Sequence, residues 1–168
     1  MIAHVKIPEA RLGVLIGDRG AVKRKIEHEL GVRLAIGDGV SIEGDDTLAV
    51  MTAADIVKAI GRGFSPSKAF RLLDENVTLY ILPLPKNERV LKRLKSRIIG
   101  AEGRAKKNLE RLSGTDISVY GRTVAIIGEY EAVEAARESL EKLISGFSHA
   151  AVYALLERKR KEMTATDG

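Results

Sequence analysis

The chain has 168 residues, 45% of them hydrophobic and 30% charged, with a net charge of +5, the make-up of a soluble globular protein. It has no cysteine, which excludes disulfides, thiolate metal sites and a cysteine nucleophile. No apolar run reaches the length of a membrane span or a signal-peptide core, so a cytoplasmic chain with no membrane partner is expected.

The alternation of His4-Val5-Lys6-Ile7-Pro8 predicts a strand closed by proline. Residues 11–16 predict a short helix broken by Gly17. A second helix is expected over 21–30, where Val22, Ile26 and Leu30 recur every four residues and Gly31 ends the run. Residues 33–36 and 40–43 alternate as two strands around Gly37-Asp38-Gly39. A helix over 47–60 is expected to turn Leu48, Ala53, Ile56, Val57 and Ile60 inward, with Asp45-Asp46 as its cap. Ser65-Pro66-Ser67 opens a further short helix through Leu73.

The order then recurs. A strand is predicted over 77–82 and a helix over 87–99 with Val90, Leu91, Leu94 and Ile98 on one face. A helix over 104–112 follows, then strands over 116–120 and 123–127 joined by Gly121-Arg122. A helix over 130–145 and an appended helix from His149 to about Glu162 complete the pattern, with the last residues frayed. Val152, Leu155, Leu156 and Met163 are the apolar positions of that last helix.

The recurrence is a duplication. Ile16-Gly17-Asp18-Arg19-Gly20 matches Ile99-Gly100-Ala101-Glu102-Gly103, 83 residues further on. At the same offset Lys23-Arg24 matches Lys106-Lys107, Glu27 matches Glu110, Gly31 matches Gly114, and Gly63-Phe64-Ser65 matches Gly146-Phe147-Ser148. Each half is therefore one β-α-loop-α-β-β-α module carrying a glycine-bounded loop. Domain boundaries of 1–74 and 75–168 follow, and the few residues between the halves predict that they pack as one body.

Charge is unevenly spread. Residues 1–75 hold 11 basic and 11 acidic side chains, whereas 76–168 hold 17 and 12. Ten of the basic residues fall within 86–111, against Glu88, Glu102 and Glu110. A cationic patch around the second loop suits a phosphate backbone. Glycines let a backbone approach a phosphate, and the helix that follows each loop aims its N-terminal dipole at the anion.

The glycine-bounded loop between two helices, followed by a helix ending in glycine and two antiparallel strands, resembles the type I KH domain in both halves. The resemblance implies an α+β fold of two tandem KH domains, each a three-stranded antiparallel sheet covered by helices, with an extra helix after each unit. It also implies a clamp on about four nucleotides of single-stranded RNA. The stretches 57–73 and 114–128 resemble the partner-of-Nob family of KH proteins, pre-rRNA-processing factors of eukaryotes with shorter archaeal homologues. That resemblance implies binding to the 3′ region of small-subunit rRNA and help to the nuclease that matures it.

The RNA-contact candidates of the second half are Gly100, Ala101, Glu102, Gly103, Arg97, Arg104, Lys106, Lys107, Asp116, Ser118 and Arg122. Those of the first half are Gly17, Asp18, Arg19, Gly20, Lys23, Arg24 and Arg33. By the resemblance, Arg33, Asp116 and Ser118 face the groove where bases lie. Both loops depart from the family pattern. Asp18 cancels Arg19, and Glu102 makes the second loop negative. The second half can compensate through Arg97, Arg104, Lys106 and Lys107, and is the expected main grip; Lys23, Arg24 and Lys25 are all the first has nearby.

His4, His28 and His149 lack metal-ligand spacing and the carboxylates are scattered, so no cofactor, metal or catalytic activity is expected. Aromatic residues at 4% leave little for broad stacking platforms. The reading is a monomeric, non-enzymatic RNA-binding ribosome-assembly factor. The alternative is an adaptor for a nuclease or translation initiation factor, with one KH unit degenerate.

Overall fold

The computed structural model describes residues 1–167, and Gly168, where the frayed end was expected to finish, lies outside them. The chain divides into two compact units, Met1–Glu75 and the remainder from Asn76.

In the first unit β1 (Ile2–Val5) leads through a 3-10 turn into α1 (Leu12–Ile16). Then come α2 (Ala21–Leu30), β2 (Arg33–Gly37), β3 (Gly39–Glu43), α3 (Thr47–Gly61) and α4 (Pro66–Ala69), which ends in a 3-10 turn over Phe70–Leu73. The sheet order is β1-β3-β2, all antiparallel, with Ala3 and Leu34 flanking Ile42. The second unit repeats this with β4 (Val77–Pro83), α5 (Glu88–Ile99), α6 (Arg104–Ser113), β5 (Asp116–Tyr120), β6 (Thr123–Glu129), α7 (Tyr130–Ile144) and α8 (His149–Asp167). Its sheet order is β4-β6-β5, with Tyr80 and Ile117 flanking Ile126. In both units the last strand is central and the strand after the glycine loop is an edge.

At the starts of α3 and α5 a side chain accepts the first orphan N–H groups. Asp46 accepts from Leu48 and Ala49, as its position predicted, and Asn87 accepts from Arg89 and Val90. The second core gathers Ile98, Leu109, Ile117, Val124, Ile126, Val133, Leu140, Val152 and Leu156. The last two belong to α8, so the appended helix is part of that core. Burying Val152 and Leu156 contributes about 1.5–3 kcal/mol each.

Four expectations are corrected. The first strand starts at Ile2 and ends at Val5, two residues short of Ile7-Pro8, because β1 pairs with β3 only as far as Val5 opposite Val40. Leu48 is exposed, not inward. It sits in the first turn of α3, off the stripe Val50, Ala53, Val57 and Gly61 that meets the core. The 66–73 helix is α-helical only to Ala69. The last helix runs beyond Glu162 to Asp167. No helix among the described residues is long and apolar enough to cross a membrane.

Candidate nucleic-acid interface

The two loops share one backbone conformation. Gly17 has φ 77° and ψ 177°, Arg19 φ 53° and ψ 31°, and Gly20 φ 76° and ψ 15°. Gly100, Glu102 and Gly103 have 76° and 175°, 55° and 25°, and 74° and 12°. Both loops hold a non-glycine residue, Arg19 or Glu102, at positive φ, strain of the kind found at ligand clamps. The two glycines of each loop do different work. A Cβ on Gly100 would lie 2.6 Å from Ala105 Cβ and 2.9 Å from its backbone nitrogen, and one on Gly17 would lie 2.4 Å from Val22 Cγ2. The first glycine thus lets the following helix pack over the loop. A Cβ on Gly103 would meet nothing within 4 Å, so the second glycine of that loop keeps its surface open to a ligand.

Each loop spends some of its own N–H groups internally. Gly20 donates to Gly17 O and Gly103 to Gly100 O, each at 3.2 Å. The first N–H of each following helix, from Ala21 or Arg104, donates to Asp18 O or Ala101 O. The helix dipole still points at the loop.

Beside the second loop, a groove of about 820 Å³ lies between α5 and the Gly121–Arg122 turn. Leu91, Ile99 and Ala101 give it apolar walls, and Lys92, Lys95 and Arg122 supply cations. None of these three cations has a side-chain partner among the described residues. Leu91, Lys92 and Lys95 were not singled out as contacts from the sequence. The signal was the length of α5, 12 residues against 5 in α1, which carries an amphipathic surface alongside the loop.

Asp116 and Ser118 do not line the groove. Side chains alternate along a strand. Ile117 and Val119 enter the core, so Asp116 and Ser118 fall on the opposite face, where Ser118 is buried. The free edge of β5 is itself engaged, since Ile117 N–H donates to Glu110 Oε2 at 2.9 Å and Lys106 Nζ pairs with Glu110 Oε1 at 3.3 Å. The first unit repeats the arrangement: Leu34 N–H donates to Glu27 Oε2 at 3.0 Å and Lys23 pairs with Glu27 at 3.8 Å. Lys106 and Lys23 are therefore tied to the carboxylates that weld helix to strand.

Other candidates are divided between surface and scaffold. Arg104 pairs with Glu102 at 2.8 Å, both well exposed, which neutralises the acidic loop. Lys107, Asp18, Arg19 and Arg33 are exposed. Arg24 donates to Arg19 O, and Lys25 lies 4.3 Å over the Phe70 ring. Arg97, expected at the RNA, turns instead to its own fold. Its guanidinium donates to Leu143 O at 3.2 Å and to Phe147 O. Leu143 O lies in the last turn of α7 and Phe147 O just beyond it, where a cation also complements the helix dipole. Arg11 does the same for α3, donating to Ile60 O and Phe64 O, each at 2.8 Å. The acceptors match at the repeat offset but the arginines do not.

Residues 81–161 match the profile of the second KH domain of the partner-of-Nob proteins, described as "Eukaryotic type KH-domain (KH-domain type I)". A KH domain-containing protein of Methanocaldococcus jannaschii is 47% identical over 171 residues, covering 96% of this chain and 75% of that protein. Dim2p of Pyrococcus horikoshii, solved by crystallography, is 45% identical with a TM-score of 0.88, covering 94% of this chain and 99% of that one. A second crystal structure, of an a/eIF2alpha–aDim2p–rRNA complex from the same organism, matches at 44% identity and a TM-score of 0.89, covering 96% of this chain and 95% of that one. With two βααββα units, two loops of one conformation and relatives at this level of identity, the chain belongs to the archaeal branch of the Dim2p, or partner-of-Nob, family of KH-domain proteins.

Proposed function

We propose that this protein is a cytoplasmic, non-enzymatic ribosome-assembly factor that binds single-stranded RNA. Its target is the 3′ region of small-subunit rRNA, and it assists the maturation of that end by a partner nuclease. In this reading residues 1–74 and 75–168 are separate KH domains of a monomer, and the second is the main grip. The observation that carries it is the groove beside Gly100–Gly103, apolar along its walls and ringed by unpaired Lys92, Lys95 and Arg122. Apolar walls suit unstacked bases and cations suit the backbone that carries them; a duplex turns its bases away from such a surface. Support also comes from the relative in Pyrococcus horikoshii, which was crystallised with rRNA.

The same complex contains a/eIF2alpha, which favours a second reading, an adaptor for an initiation factor or a nuclease with the first unit degenerate. That unit's Lys23, Arg24 and Lys25 are all engaged within the fold. The deciding experiment compares affinity for a single strand from the 3′ end of small-subunit rRNA with that for the same sequence paired in a hairpin. The proposal expects the single strand to bind much more tightly, and crosslinks from bound RNA to map to the groove. Equal affinity for the two forms would replace this reading with the adaptor.

A further inference from the structure

A second concave surface lies on the same unit, between α6 and the C-terminal part of α8. It has a volume of about 560 Å³, and its walls include Arg111, Leu112, Glu157, Arg160 and Lys161. Three cations thus face one carboxylate. None of the three has an ion pair or a side-chain hydrogen bond among the described residues. Cations nearby on α7 and α8 are treated differently. Lys159 is held by Glu138 at 2.7 Å, and Arg137 is held by Glu134 at 2.7 Å and Glu141 at 3.0 Å. Arg160 and Lys161 at this notch, like Arg158 outside it, have no such carboxylate among the described residues.

The notch is connected to the glycine loop. Arg104, Lys107 and Arg111 are three and four residues apart, so they share one face of α6, and all three are exposed. The helix begins directly after Gly103. At 1.5 Å per residue this cationic stripe covers about 12 Å between the loop and the notch. The notch itself offers charge without an anchoring pocket. Leu112 is buried, and the lining holds no aromatic side chain of the kind that centres a protein–protein interface.

We propose that Arg111, Arg160 and Lys161 form a second phosphate-binding site, which takes the backbone of the same RNA strand after it leaves the clamp and crosses α6. The inference rests on the RNA-binding reading and extends it from about four nucleotides to a longer footprint. Neutralising one phosphate of a single strand contributes a salt slope of about 0.7, or about fourfold in affinity at 0.15 M salt relative to 1 M.

The test uses two single strands from the 3′ end of small-subunit rRNA, one of about four nucleotides, the clamp length, and one about three times as long. Fluorescence anisotropy at several salt concentrations gives affinity and slope for each. The wild type should bind the longer strand more tightly and with the steeper slope. Arg160→Ala and Arg111→Ala should each weaken the longer strand about fourfold and flatten its slope by about 0.7, leaving the shorter strand unchanged. Arg158→Ala removes the same charge from α8 but lines no wall of the notch, and should leave both strands unchanged. The proposal falls if Arg158→Ala costs as much as Arg160→Ala, if the wild type gains nothing from length, or if the notch variants match the wild type on the longer strand. Lys92→Ala with Lys95→Ala tests the groove separately. It should weaken both strands, and if it weakens neither, the groove reading fails while the comparison of Arg160 with Arg158 still judges the notch.

Discussion

The two glycines of the second loop should separate folding from binding. Gly100 sits at φ 76° and ψ 175°, a region open almost only to glycine, where another residue costs about 1–3 kcal/mol. An added Cβ would also press on Ala105 Cβ and its backbone nitrogen, at 2.6 and 2.9 Å, so α6 would have to shift. Gly100→Ala should therefore lose about 3 kcal/mol or more of stability, in the range of overpacking added to backbone strain. Gly103, at φ 74° and ψ 12°, has open space where its Cβ would be. There alanine should cost only the left-handed penalty of about 1–2 kcal/mol, and asparagine or aspartate less. An aspartate should therefore spare the fold at Gly103 but not at Gly100. Gly103→Asp and Gly103→Asn have nearly the same shape and differ in charge. A negative charge about 4 Å from a phosphate is unfavourable by about 1 kcal/mol in water and about 4 at an effective dielectric of 20, at least fivefold in affinity. Urea titration reports stability, and anisotropy with a single-stranded RNA reports binding. If Gly103→Asp binds as well as Gly103→Asn, no phosphate sits at the loop. If Gly100→Ala is as stable as Gly103→Ala, the packing argument is wrong.

Three further expectations follow from particular contacts. Arg97→Met should destabilise by about 1–3 kcal/mol, through lost charged hydrogen bonds to Leu143 O and Phe147 O, and leave the salt slope of RNA binding unchanged. A flatter slope at wild-type stability would return Arg97 to the interface. Glu110→Ala should cost about 1–3 kcal/mol by orphaning Ile117 N–H, whereas Glu110→Gln should recover most of that in chemical unfolding, because an amide oxygen can still accept; equal losses for the two would show that the strand bond is unimportant. Lys159 donates a hydrogen bond to Glu138 and holds its carboxyl below the usual glutamate range. The folded value lies below the unfolded one, so this contribution is present above the unfolded value and is lost as pH falls through the folded one. Protection of α8 against hydrogen exchange, taken relative to the intrinsic rate at each pH, should therefore fall in acid, and Lys159→Met should remove that pH dependence; an α8 equally protected at both pH values would contradict it.

The element order was legible in the sequence because each half repeats one periodicity, and the bounds of α2 and β5 were matched to the residue. The site was legible only in part. Gly100–Gly103 declared itself by spacing, and its conformation follows from residues adjacent in the chain. The fate of each cation does not. Arg97 is claimed by carbonyls 46 and 50 residues away, and Lys106 by a carboxylate already committed to a strand. Charge counting cannot see either acceptor. Leu48 was misplaced for a similar reason: its apolar side chain fits a helix pattern, but the buried stripe of α3 begins at Val50.

The duplication separates what the fold requires from what the site requires. Leu143 O and Phe147 O correspond at the repeat offset to Ile60 O and Phe64 O, and both pairs are capped by an arginine. Yet Arg97 lies three residues before its loop and Arg11 six before its own. When two copies keep the acceptors and change the donor's position, the bond itself is the requirement. The Glu27 and Glu110 bridges, kept at matching positions, belong to the same scaffold. What differs between the copies is the helix ahead of the loop. The longer α5 brings Leu91, Lys92 and Lys95 beside Gly100, whereas α1 is a single short turn of Leu12–Ile16. Grafting the sequence of α5 in place of α1, with the Arg97 donor kept in register to meet Ile60 O and Phe64 O, should give the first unit a groove and a measurable affinity for single-stranded RNA. A folded graft that gains no affinity would mean that the loop chemistry, Asp18 and Arg19 against Ala101 and Glu102, sets the difference between the units.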